Sequence, residues 1–156
     1  MKLDIFNFQR CFRIREERRS AKAAMAPTTI SYITALELKR LQSTSKLAVI
    51  DVRDEERSYD GHIAGSWHFA SDTFTDELPA LAEKLDGHDV AVFHCAKSQV
   101  RGPSCAMRFV DHLSERVSNT GMKTAPHVYV LESGFNGWAS AGHPVCQCGQ
   151  SFCSKH

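Results

Sequence analysis

Short apolar runs alternate along the chain with longer segments of helical period. Leu47-Ala48-Val49-Ile50-Asp51-Val52 is nearly continuous in apolar residues, as expected of a strand covered on both faces in a parallel sheet. Asp89 to Phe93 and His127 to Leu131 read as strands, Thr29 to Ile33 as a shorter one, and Gly61 to Phe69 as a turn leading into another. Between them, Thr34-Ala35-Leu36-Glu37 forms a capping box that opens a helix to about Gln42, broken at Ser43-Thr44-Ser45. Asp76 to Leu85 reads as a helix whose regular part starts late because of Pro79. From Pro103 a helical pattern runs through Met107, Val110 and His112, and Gly134 to Ala141 is a short helix stopped by Gly142. Arg53 to Asp60 is charged and is expected on the surface, and Ser118 to Pro126 is expected to be a polar loop. The alternation predicts a three-layer α/β domain around a central, mostly parallel five-stranded sheet, with its site at the carboxyl ends of the strands.

With 156 residues, 42% of them hydrophobic, the chain can bury one full core, so a single domain over 27–145 is expected, with an extension at each end, 1–26 and 146–156. A net charge of +1 gives no general attraction to nucleic acid or membrane. No apolar run approaches the roughly 18 residues of a membrane span. Six cysteines without a signal peptide fit a reducing compartment, the cytoplasm or the nucleus. The first 26 residues set Lys2, Arg10, Arg13, Arg15, Arg18, Arg19 and Lys22 against Asp4, Glu16 and Glu17. Acidic residues are scarce in transit peptides, so Glu16-Glu17 favour a flexible basic extension, and Met25 would serve equally well as a start.

The chemistry gathers at Phe93-His94-Cys95-Ala96-Lys97-Ser98-Gln99-Val100-Arg101-Gly102-Pro103, a loop between a strand and a helix. Gly102 allows a tight turn and Pro103 suits the first helical position, so the loop's free N–H groups can converge at a helix N-terminus and bind an oxyanion. A thiol there is favoured as the thiolate, and the planar fork of Arg101 can hold two oxygens of a tetrahedral anion. Ser98 is placed to hydrogen-bond the thiolate or a departing group. His94 reads as shaping the loop rather than as an acid or base. A buried structural cysteine beside a solvated arginine is the alternative, which the spacing disfavours. Asp51 and Arg53 read as a structural ion pair, and Arg53 and Glu132, each following a strand, are candidates for lining the same cleft.

Cys146, Cys148 and Cys153 form a second constellation in a tail too polar to fold alone. At this spacing they read as zinc ligands in need of a fourth, with His68, His143 and His156 as candidates. Pro144 strains a chelate from His143, and His156 is the last residue, whereas His68 on a strand edge would tie the tail to the body.

Ile50-Asp51-Val52-Arg53, Gly61-His62-Ile63, the His94 to Pro103 loop and Val130-Leu131-Glu132-Ser133-Gly134-Phe135 with Trp138 resemble a rhodanese-fold domain over about residues 28–145. Within that superfamily the loop is similar to that of the M-phase inducer dual-specificity phosphatases, and more closely to that of the small arsenate reductases of plants and yeast. The resemblance implies Cys95 as nucleophile, Arg101 as oxyanion clamp and the loop amides of Ala96, Lys97, Ser98, Gln99 and Val100 as cradle, and it too points to His68 as the fourth zinc ligand. The inducer phosphatases carry glutamates where this chain has Ala96 and Val100, so a proton donor to the leaving group is missing. They also have a second cysteine where this chain has Val52, so no resolving thiol stands there, and Cys105 reads as a core residue. The expected function is reduction of arsenate to arsenite with an external thiol, glutathione with glutaredoxin. The alternative is a dual-specificity phosphatase acting on a cyclin-dependent kinase through a phosphocysteine. Sulfur transfer ranks third, since the rhodanese loop is one residue shorter.

Overall fold

The computed structural model describes residues 29–43, 46–120 and 125–155. The basic extension, Met25 and His156 lie outside them. Among the described residues seven strands and five helices follow in order: β1 (Ser31–Ile33), α1 (Ala35–Leu41), β2 (Leu47–Asp51), α2 (Glu56–Asp60), β3 (His62–Ile63), β4 (Trp67–His68), α3 (Phe74–Lys84), β5 (Val90–His94), α4 (Arg101–Thr120), β6 (His127–Leu131), α5 (Gly134–Ser140) and β7 (Val145–Cys146). Five strands make one sheet in the order β1-β6-β5-β2-β4, and every pairing in it is parallel. Strand β5, which leads into the Cys95 to Arg101 loop, lies in the middle.

The near-continuous apolar strands are explained by two cores, one on each face of the sheet. Successive side chains alternate between them. Ala48 and Ile50 of β2 and Ala91 and Phe93 of β5 join Phe74, Leu78 and Leu81 of α3 and Phe109, Val110 and Leu113 of α4. Val49, Val90 and Val92 face the other way, onto Leu38 of α1 and Phe135 and Trp138 of α5. The capping box at Thr34 forms as expected, with Thr34 Oγ1 accepting from Glu37 N–H and Thr34 N–H donating to Glu37 Oε2.

Three expectations need correction. Helix α3 begins at Phe74, ahead of the expected start, and runs through Pro79. Phe74 is buried edge-on against Phe93 and anchors the first turn, while Pro79 is exposed, where water can meet the carbonyl that its missing N–H leaves free. Helix α4 runs on to Thr120, so it takes in the start of the segment expected to be a polar loop. Its own start is Arg101, which puts Pro103 still within the first turn, where no N–H is needed. The segment from Arg53 to Asp60 is not all surface, because Arg53 and Arg57 are both buried.

The tail is built into the domain. Strand β7 pairs antiparallel with β3, setting His62 opposite Cys146, and Trp67 bridges Phe152. His68 N–H donates to Ser151 C=O at 2.7 Å and Cys153 N–H to Ser66 C=O at 3.1 Å. The Phe152 ring meets Trp67 and Phe69 edge-on, and Lys84 caps it with its ammonium 4.0 Å from the ring centroid.

Candidate active site and metal cluster

Strand β5 delivers Cys95 to the carboxyl end of the sheet, buried to 4% exposure, and α4 begins at Arg101 on the far side of the loop. The loop is shaped from behind by α5. Phe135 N–H donates to Cys95 C=O and Asn136 N–H to Ala96 C=O, each at 2.9 Å. In a trans peptide the N–H points opposite to the C=O. Drawing these two carbonyls onto α5 therefore turns the N–H groups of Ala96 and Lys97 away from it. The next amide, Ser98 N–H, donates to Cys95 Sγ at 3.2 Å. Ser98 has a φ of 52°, a left-handed turn that a non-glycine residue adopts seldom. Gly134 makes the close approach possible: a Cβ there would stand 2.4 Å from Cys95 O and 2.7 Å from Ala96 O. Gly102 is similarly crowded, by Cys95 N and Ser98 Oγ at 3.3 Å.

Arg101 reaches across to the segment after β2. Its Nη1 donates to Asp54 Oδ2 at 2.8 Å and its Nη2 pairs with Glu56 Oε1. Ser71 N–H and Oγ–H, at 2.8 and 2.9 Å, hold Asp54 in turn. The hydrogen bond from Arg101 keeps the Glu56 carboxyl below the usual range. Burial pushes the Asp54 carboxyl up, but the bonds from Arg101, Ser71 and Asp72 outweigh it and hold this group low as well. The Glu56 pairing likewise raises the guanidinium. Arg101 is thus a permanent cation with two of its five N–H donors engaged and a third of its side chain exposed.

Beneath the loop lies a buried polar layer. Arg53 Nε and Nη2 grip Asp51 at 3.0 and 2.7 Å, Nη2 also donates to Gly61 C=O at 2.7 Å, and the guanidinium carbon lies 3.9 Å from the centre of the Phe135 ring. The Asp51–Arg53 ion pair expected from the sequence forms, with both side chains fully buried. Arg53 is fully buried and does not line a cleft. Glu132 does, on an open depression of about 600 Å³ beside the loop with Tyr32, Lys97, Ser98, Gln99 and Asn136. His94 is fully buried, with Nδ1 3.2 Å from Cys95 O and Nε2 3.9 Å from Asp51 Oδ2. Burial pushes its pKa down despite Asp51 nearby, which leaves the imidazole neutral and suits it to shaping the loop. Val52 and Cys105 are both buried, and burial pushes the Cys105 thiol up to about 11.

The three tail thiols do come together, with a different histidine from the one expected. The donor atoms of His62, Cys146, Cys148 and Cys153 lie within 4.8 Å of one another. Cys148 Sγ is 3.5 Å from His62 Nε2. A tetrahedral zinc with ordinary bond lengths spaces its ligand atoms by about 3.5–3.8 Å, so the set closes round such an ion with little movement. Burial pushes the His62 pKa down to about 4, leaving a neutral ring with a lone pair to offer. His68 stands outside the cluster because its Nε2 is committed at 2.7 Å to Arg53 C=O and its backbone to Ser151. The His143 ring is stacked at 4.5 Å on Trp138. His62 was missed because Gly61-His62-Ile63 reads as a turn; the pairing of β3 with β7 that sets it against Cys146 is a long-range contact with no local signal.

The rhodanese-like domain model matches residues 34–141. The chain is 52% identical to a dual specificity phosphatase Cdc25 of Arabidopsis thaliana, covering 85% of this chain and 88% of that protein. It is 50% identical to arsenate reductase 2.2 of Oryza sativa subsp. japonica, covering 80% of this chain and 93% of that one. Among solved structures, a yeast protein tyrosine phosphatase of the rhodanese family superposes with a TM-score of 0.60 at 31% identity, over 72% of this chain and 86% of that chain. With an all-parallel five-stranded sheet, the Cys95 to Arg101 loop at its centre and these relatives, the chain belongs to the rhodanese-like domain family and is an enzyme of that family.

Proposed function

We propose that the protein reduces arsenate to arsenite. The observation that carries this reading is that Asp54 and Glu56, the carboxylates that hold the clamp, are themselves held ionised by it. Neither can give a proton to a departing serine or tyrosine oxygen at neutral pH, and Ala96 and Val100 supply no acid either. Arsenate loses hydroxide or water, which needs far less help.

The Cys95 thiolate attacks arsenic held by the loop amides and Arg101, forming an S–As bond as one arsenate oxygen leaves and takes up a proton to become water. Lys97 adds positive charge at the mouth. A glutathione thiolate then attacks the Cys95 sulfur. The S–As bond breaks with its electron pair on arsenic, so As(V) leaves as As(III), and Cys95 remains in a mixed disulfide that a glutaredoxin thiol reduces. His62, Cys146, Cys148 and Cys153 would hold a structural zinc that fastens the tail, with four protein ligands and no open position for chemistry.

The second reading is a dual-specificity phosphatase, favoured by the name of the Arabidopsis relative. On that reading Cys95 forms a phosphocysteine that water releases, and the substrate is a phosphorylated side chain, as on a cyclin-dependent kinase. One pair of assays separates the two: arsenate with glutathione and glutaredoxin, coupled to NADPH oxidation, beside phosphate release from a phosphopeptide. Arsenate turnover without peptide turnover is the expected result, lost in Cys95→Ser; peptide turnover that exceeds arsenate turnover would reverse the assignment.

A further inference from the structure

We propose that Arg57 is the counter-charge of the His62, Cys146, Cys148 and Cys153 cluster and that, through α2, it lets the cluster set the position of the Arg101 clamp. The inference rests on reading the cluster as a metal site. Arg57 is 7% exposed, an unusual place for a guanidinium. Its nearest carboxylate, Asp51, is already gripped by two nitrogens of Arg53. Arg57 Nε stands 3.5 Å from Asp51 Oδ2 and has no hydrogen-bond partner among the described residues. Two buried cations therefore share one carboxylate, and the neighbouring His94 adds no anion.

The missing negative charge lies on the other side. Arg57 Nη2 donates to Gln150 C=O at 3.2 Å, in the tail between Cys148 and Cys153, and both of those thiols act on it electrostatically. A divalent ion bound by three thiolates and a neutral imidazole carries one surplus negative charge. Metal binding would thus balance the buried layer that is otherwise one cation in excess, and a buried cation without its partner is costly.

The same short helix reaches the active site. Glu56, next to Arg57 on α2, pairs with Arg101. At the other end of α2, Gly61 lies under the tail, where a Cβ would meet Gln147 Nε2 at 2.7 Å and Cys146 O at 2.8 Å. With one end fastened to the clamp and the other to the tail, α2 cannot shift at one without shifting at the other.

The test measures zinc affinity of the full-length protein by competition with a chromophoric chelator under reducing conditions, together with kcat and KM for arsenate. Arg57→Met should weaken zinc binding by about 10- to 100-fold, as loss of an outer partner of a metal site does, and Arg57→Lys, which keeps the charge, should stay within about threefold of wild type. Glu56→Gln should raise KM and change zinc affinity far less than Arg57→Met does, since it leaves the counter-charge in place and frees only the clamp end of α2. Stripping zinc from the wild type should raise KM more than it lowers kcat, a measurement that needs no variant to fold. Unaltered zinc affinity in Arg57→Met, or equal losses in the Met and Lys variants, overturns the counter-charge role. An unaltered KM in stripped wild type overturns the link to the clamp. A wild type that takes up no zinc overturns the metal reading and this inference with it, whereas tight zinc binding indifferent to Arg57 overturns this inference alone.

Discussion

At the clamp, charge and shape act together. On the proposed reading Arg101 would give its remaining N–H groups to the anion while Asp54 and Glu56 hold Nη1 and Nη2, a geometry that a point charge of similar reach cannot reproduce. Arg101→Lys should lower kcat/KM for the oxyanion by about 10²- to 10³-fold, the usual cost of losing an oxyanion donor, with the melting temperature little changed. Gly134 carries a different kind of necessity. Its φ of 55° and the 2.4 Å approach of a Cβ to Cys95 O mean that Gly134→Ala must push α5 off the loop. The expected cost is about 1–3 kcal/mol in a denaturant titration, with activity falling further than stability because the carbonyls that orient the cradle are released. Cys95, Arg101 and their spacing were legible in the sequence, as were Gly102 and Pro103, because each acts through local chain geometry. The grip of Asp54 and Glu56 on Arg101 was not, since those residues read only as part of a charged run and their partner is far along the chain.

Among the elements, the segment from β2 to β3 departs most from its sequence pattern. Arg53 to Asp60 looks like a solvated stretch, yet two of its arginines are drawn inside by one aspartate at the end of β2. Burial pushes the Asp51 carboxyl up, but the charged fork and the N–H of Arg53 outweigh it and bring it below its ordinary value. A carboxyl depressed in the folded state stabilises above its unfolded pKa, and that stability is lost as pH falls through the lower folded value. Asp51→Asn should therefore cost about 3–5 kcal/mol near neutrality, the range for breaking a buried pair, and the difference from wild type should shrink on acidification below the ordinary carboxylate range. Parallel urea titrations across that pH interval would check it; a constant difference would mean that Asp51 acts by shape alone. The tail gives a second element-level expectation. His62→Ala should lose about one zinc per chain and lower the melting temperature, while His68→Ala should keep the metal because that ring is bonded to Arg53 C=O. Elemental analysis separates the two. Three of the four cluster residues could be read from their spacing, and the fourth could not, because strand pairing between β3 and β7 chose it.

For the molecule as a whole, the distribution of thiols governs the cycle. Cys95 ends a central strand, Cys105 is buried in the core with its thiol pushed up to about 11, and the tail thiols are gathered at His62. No second cysteine among the described residues is both near the loop and reactive. On the proposed mechanism the cycle without glutathione should accordingly stop at the Cys95–arsenic adduct with no arsenite released, and Cys105→Ser should leave the rate with glutathione unchanged. Repeated turnover with a non-thiol reductant would point to a resolving cysteine within the chain. The parallel sheet and its two cores followed from the apolar runs, since strands buried on both faces leave that mark in any sequence. The built-in tail did not, because its anchors are backbone pairings and a few aromatic edges rather than an apolar period.

The bonds from Phe135 and Asn136 to the loop carbonyls have a consequence for how such an enzyme changes its diet. A receptor made of peptide groups is blind to the letters written on it: Ala96, Lys97, Gln99 and Val100 can be exchanged without dismantling the anion seat. If the loop is the anion seat proposed above, a lineage could drift between arsenate, phosphate esters and other tetrahedral anions by editing those few side chains, and inorganic phosphate should compete for the same seat.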